Sequence, residues 1–126
     1  MWVSVPIVAA APALLQSACK STLSSLYMRH AGLLQVTVLV NNAGVATGFG
    51  KSPIDDNPDE WDTMLAVNLA APMRLVRLLG PSMAEKGNGV IINVSSVAGL
   101  DPKPLAVGYA SSKWGLTGCG ALQELK

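Results

Sequence analysis

The stretch VGYASSKWG, residues 107–115, sets Tyr109 and Lys113 four positions apart. On a helix, residues i and i+4 leave the same face one above the other, so a phenol and an ammonium at this spacing can meet. An isolated phenol ionises near pH ~10, out of range for a base at neutral pH. An adjacent ammonium favours the phenolate, and the pair becomes a candidate general acid/base. A tyrosine packed at a helix start beside a solvated lysine has the same spacing, so the pair takes its meaning from its companions.

Those companions must be positioned by strands and helices. Two apolar, largely β-branched runs, VTVLV (36–40) and VIINV (90–94), stop at NNAG and SSVAG. Nearly continuous apolar runs suit strands of a parallel sheet covered on both faces. Between them, DNPDEWDTM opens a helix with Asn57 as N-cap, Pro58 at the first helical position and Glu60 at the capping-box site. That helix is expected over residues 57–86, bending or breaking near Pro72 or Pro81, with KGNG (86–89) turning the chain into the second run. Strand, helix and strand make a right-handed crossover. The fold class is α/β, a partial Rossmann-like doubly wound parallel sheet in a single incomplete domain. Ligands of such sheets bind beyond the carboxyl ends of the strands, where this chain carries Asn41, Asn42, Ser95 and Ser96. A second helix is expected from Val107 to about Leu125, weakened by Gly115, Gly118 and Gly120.

Ser96 lies thirteen residues before Tyr109, where a hydroxyl could face the same cleft, although paired serines also suit a plain turn. Asn68 follows Trp61, Met64 and Leu65 along one buried helical face. An amide left unpaired there costs roughly 1–3 kcal/mol, so Asn68 either bonds across the core or perturbs the helix to a purpose.

The remaining features bound the function. With 126 residues, 50% of them apolar and 13% charged, one domain is expected. Nine basic residues against eight acidic ones offer no electrostatic footprint for nucleic acid or an anionic membrane. The opening apolar run holds Pro6 and Pro12, lacks the basic start of a signal sequence, and is too short to span a bilayer. Cys19 and Cys119 have no metal-ligand spacing and read as reduced thiols of a cytoplasmic protein, with an organelle transit peptide left open by the acid-poor leader. His30 is the single histidine and GxSxG is missing, which disfavours a Ser-His triad or a metal site. Residues 1–35 form an atypical N-terminal segment, read as an edge strand in MWVSVPIV and an amphipathic helix over 13–32.

VTVLVNNAG, NLAAP with Asn68, INVSSVAG with Ser96, and YASSK together resemble the short-chain dehydrogenase/reductase family, in the family's order and spacing. The resemblance covers residues 36–126, which it identifies as the central part of an NAD(P)-binding Rossmann domain. It implies an oxidoreductase that interconverts a carbonyl and an alcohol of a small molecule by hydride transfer, with NADP or NAD as cofactor. Tyr109 would give or take the proton, and Lys113 would favour the ionised tyrosine and hold the nicotinamide ribose. Ser96 would orient the substrate oxygen, and Asn68 would anchor a relay water through its main-chain carbonyl. Asn42, Ala43 and Gly44 would line the cofactor, with Asn41 steadying the turn and the small residues around YASSK leaving room at the cleft. Family-type pairing, as a homodimer or with a relative, would use the long helix 57–86.

The family's TGxxxGxG turn holds the cofactor pyrophosphate at a helix N-terminus. The only GxG triplets here, at 48–50, 87–89 and 118–120, do not extend to that pattern. Against the family domain the chain reads as truncated at both ends. A second function follows from this: a catalytically silent fragment, a truncated or splice product, acting through dimerisation with a full-length relative.

Overall fold

Parallel strands cannot be joined by a tight hairpin, so the connection between them must carry a helix. The computed structural model describes residues 2–4, 36–48, 50–52, 54–101 and 107–121, and has this form. Strands β1 (Trp2–Ser4), β2 (Val38–Asn41) and β3 (Val90–Asn93) lie in that order with both pairings parallel. β2 and β3 run in register from Val38↔Val90 to Asn41↔Asn93, which sets the two terminal asparagines side by side. Helix α1 (Pro58–Leu65), a π-helical turn (Ala66–Ala70) and α2 (Ala71–Glu85) connect them. A 3-10 turn (Val97–Gly99) and helix α3 (Val107–Ala121) follow β3. The helix expected over residues 13–32, and the part of the second helix beyond Ala121, lie outside the described residues.

The start of α1 follows the sequence in part. The Asn57 side chain accepts the Asp59 N–H at 3.0 Å, and Pro58 occupies the first helical position. Glu60 does not complete the expected capping box. The Asn57 N–H donates instead to Asp56 Oδ1 at 3.1 Å, while the Glu60 carboxylate lies 3.5 Å from Lys51 Nζ. Asp56 also accepts the Trp61 indole N–H at 2.6 Å, so one carboxylate ties the loop to the first turn.

The irregularity in the long connection lies upstream of both prolines, in the π-helical turn. Pro72 has no N–H to give the carbonyl of Asn68, four residues back. Bonding there is of the wider i→i+5 kind, with the Ala71 N–H donating to the Ala66 carbonyl. Pro81 is exposed and the helix runs through it to Glu85. Beyond Lys86, Gly87 takes φ 59°, and the Gly87 and Asn88 amides donate to the Ala84 and Met83 carbonyls, closing the helix end.

The core lies on one face of the sheet, where Val36 and Leu39 meet Leu79 and Met83, flanked by Leu75, Val76, Leu78 and Ile91. The expectation of strands covered on both faces is not met for β3. No described element covers its other face, and Val90, Ile92 and Val94 are exposed there.

Helix α3 packs on α1 and the π-helical turn, and its glycines have different parts in that contact. A Cβ at Gly108 would come 2.6 Å from Met64 Cε and 2.8 Å from Trp61 Nε1, and one at Gly115 would come 2.8 Å from Leu69 Cδ2. These small residues are consumed by helix packing and do not open the cleft. Gly118 meets nothing within 4 Å, so there only the entropic cost of glycine in a helix remains. At Gly99 a Cβ would lie 2.9 Å from the Lys113 carbonyl oxygen, a backbone atom that cannot swing aside.

Gly99→Ala and Gly118→Ala are therefore expected to have opposite signs in urea unfolding. The first loses about 1–3 kcal/mol through overpacking, and the second gains about 0.5–1 kcal/mol through restriction of the unfolded chain.

Candidate active site

Lys113 lies inside the protein, 3% exposed, with no carboxylate paired to it among the described residues. Its ammonium donates to the Val94 carbonyl at 2.9 Å and lies 5.9 Å from the centroid of the Tyr109 ring. Burying an ammonium without a counter-charge is costly, so its neighbours must hold it firmly. The Lys113 carbonyl accepts from Ser95 Oγ at 3.2 Å and from Thr117 Oγ1 at 3.0 Å, and those hydroxyls are 2.7 Å apart. Ser95 thereby fastens the end of β3 to the helix that bears the lysine.

Asn68, fully buried at 0% exposure, answers the question its position raised. Its Oδ1 accepts the Val45 N–H at 2.8 Å, and its Nδ2 donates to the Val45 carbonyl at 2.8 Å and to Ser112 Oγ at 2.9 Å. The amide is consumed by structure, binding the loop after NNAG to α3. The main-chain carbonyl of Asn68 is denied its ordinary helical donor by Pro72. Gly44 stands over this junction, where a Cβ would lie 3.5 Å from both Asn68 Oδ1 and Lys113 Nζ.

The two serines after β3 divide their work. Ser95 is bound to α3, as above. Ser96 is extended, with φ −157° and ψ 161°, and caps the 3-10 turn by accepting the Ala98 N–H at 3.2 Å. Tyr109 is half-buried in the first turn of α3, and its carbonyl accepts from Ser112 Oγ at 2.7 Å.

At the end of β2, Asn41 is buried and its Nδ2 donates to Asn93 Oδ1 at 2.8 Å across the strand pair. Its own Oδ1 is buried without a hydrogen-bond partner. Asn42 and Gly44 are exposed and Ala43 is half-buried. A cleft with about 280 Å³ of open space is lined by Val40, Asn41, Asn42, Ala43, Val67 and Pro72, among others, and does not include Tyr109 or Lys113.

Of the expected residues, Asn68, Gly44, Tyr109 and Lys113 are thus brought to one junction. Ser96 is attached to it through its neighbour Ser95, and the Asn41 carbonyl accepts the N–H of Val94, the residue whose carbonyl Lys113 bonds. Sequence reasoning missed Ser112 and Val45, and named Ser95 only as a polar residue at a strand end. Ser112 lies within YASSK, but nothing local distinguishes it from Ser111, because its partner is 44 residues away.

The chain matches the family model described as short chain dehydrogenase over residues 16–122, a match that begins upstream of the first sequence motif. It is 40% identical over 88 residues to the very-long-chain 3-oxoacyl-CoA reductase of Anas platyrhynchos, covering 67% of this chain and 28% of that protein. Among solved structures it is similar to a metagenomic short-chain oxidoreductase in complex with NADP. The TM-score is 0.70 at 41% identity, covering 82% of this chain and 45% of that one. It is also similar to 4-hydroxyisoleucine dehydrogenase complexed with NADH, with TM-score 0.68 at 28% identity, covering 78% and 43%. The chain spans less than half the length of the curated relatives it matches.

Asn68→Leu keeps an apolar side chain of similar size and removes three hydrogen bonds. It is expected to lower stability by about 3 kcal/mol, at about 1 kcal/mol per bond, in urea unfolding. The Val45 amide, which loses its acceptor, is expected to exchange faster by NMR.

Proposed function

The chain belongs to the short-chain dehydrogenase family, a family of oxidoreductases, and from that premise we propose that it interconverts a small-molecule carbonyl and alcohol with NADP or NAD, using Tyr109 as acid/base. One observation carries this reading. Lys113 is buried with no carboxylate paired to it among the described residues, one helical turn from a tyrosine and beside Gly44, where a Cβ would lie 3.5 Å from its ammonium. Burying an ammonium without a counter-charge is costly, and that cost supports a working lysine over a purely structural one.

The residues present fit the nicotinamide end of such a cofactor. An ammonium has three donors, and only one of them, to Val94, is given to a described group. The others suit ribose hydroxyls. Gly44, with Asn42 and Ala43, offers backbone that a ligand can approach closely. The cofactor, when bound, supplies the hydride acceptor or donor. NADP and NADH in the similar structures support either choice.

Within this reading Tyr109 holds the proton exchanged at the substrate oxygen. The Lys113 ammonium offsets negative charge on the phenol oxygen while that proton is away. Ser96 hydrogen-bonds the substrate oxygen and orients it. Asn68 holds a water at its main-chain carbonyl, linking Lys113 to solvent, and Pro72 favours this by offering that carbonyl no N–H. Residues 36–126 form the central part of the nicotinamide-binding domain, preceded by the atypical segment 1–35.

The sequence contains no TGxxxGxG turn, and this favours a second reading. In it the chain is silent and pairs with a longer relative through residues 57–86. Fluorescence titration with NADPH and NADH separates the two. The first reading expects saturable binding and turnover of a carbonyl panel. Tyr109→Phe should then lower kcat by about 10²–10⁴-fold, the usual scale of general acid–base catalysis, with cofactor affinity retained. Lys113→Met should weaken both. Absence of binding to either cofactor would sink the first reading.

A further inference from the structure

The fully buried Ser112 carries a hydroxyl that touches both Asn68 and Tyr109. Its Oγ accepts from Asn68 Nδ2 at 2.9 Å and donates to the Tyr109 carbonyl at 2.7 Å. With one lone pair and its proton engaged, it forms a continuous chain from Val45 through Asn68 to the first turn of α3. Gly108, next to Tyr109, packs against Trp61 and Met64 and sets the depth of that turn. Packing of that kind is non-directional. Hydrogen bonds are directional, so the Ser112 link sets the rotation of the turn.

Resting on the oxidoreductase reading above, we infer that Ser112 is a positioning residue for Tyr109, holding the tyrosine's helical turn in rotation against the π-helical turn that carries Asn68. Ser112 touches neither substrate nor cofactor in this role. Its effect passes through the Tyr109 backbone, while Lys113 stays held by Ser95, Thr117 and Val94. Without the hydroxyl, Asn68 keeps its two bonds to Val45, so the loop stays anchored while the α3 end of the link is released. Binding is therefore preserved and the chemical step is impaired.

The test compares Ser112→Ala and Ser112→Cys, which delete the hydroxyl, with Ser112→Thr, which keeps it. A control, Thr63→Ala, removes a hydroxyl bonded only to Asp59 on α1. In the two hydroxyl-deleted variants kcat is expected to fall about 10–100-fold, the scale of a small misplacement of a reacting group, with KM for cofactor and substrate little changed. Ser112→Thr recovers most of the loss, and Thr63→Ala behaves as the parent. Amide hydrogen exchange at Tyr109 and its neighbours quickens in the Ala and Cys variants and not in Thr. Unchanged kcat in Ala and Cys, or an equal loss in Thr, overturns the inference. So does unfolding of both hydroxyl-deleted variants, which assigns Ser112 to stability alone. If the parent neither binds nor turns over, the oxidoreductase reading fails by itself. The exchange data then decide on Ser112, with unchanged exchange overturning its positioning role and faster exchange sustaining it.

Discussion

A buried primary amide has two donors and an acceptor that must all be met, and in this protein that requirement joins the parts of the site. Asn68 can satisfy its side chain only if the loop at Val45 and the hydroxyl of Ser112 come to it together. Meeting both ties the segment after β2 to the first turn of α3. The π-helical turn that presents Asn68 is wider than an α-helical one, and Pro72 helps to keep it so, since a normal turn would need an N–H that proline lacks. Local irregularity and tertiary order therefore have one cause here.

Lys113 depends on that junction. Its carbonyl is held by Ser95 and Thr117 and its ammonium by Val94, so the end of β3 grips the helix from one side while Asn68 and Ser112 grip it from the other. Close approach at Gly99 and Gly108 lets both grips close. A charge that would be costly to bury alone is kept where it faces Tyr109 and the bare backbone of Gly44. In the oxidoreductase reading, this arrangement trades some stability for a positioned ammonium.

The sheet shows the same economy on one face only. Leu39 and Ile91 point toward α2 and are covered, while Val90, Ile92 and Val94 alternate to the other face and are exposed among the described residues. Period-two alternation sends neighbouring residues of one strand to opposite faces. The apolar run in VIINV could not by itself say which face would find a partner.

What the sequence determined alone was local or short-range. Asn57 and Pro58 mark a helix start because capping and a missing amide act within one turn. The strand ends are legible to within one residue from abrupt changes in polarity, and the pairing of Tyr109 with Lys113 from helical spacing. Residue identity also carried the family motifs, so the family and the fold class could be named in advance. Tertiary structure decided which of two adjacent serines would bind the helix and what Asn68 would bond. It also decided whether a glycine in α3 weakens the helix or admits a neighbour. Those outcomes rest on contacts across 18, 23 and 44 residues of chain. Hydrogen bonds and close packing at such separations depend on where whole elements dock, and no spacing within a single element encodes that.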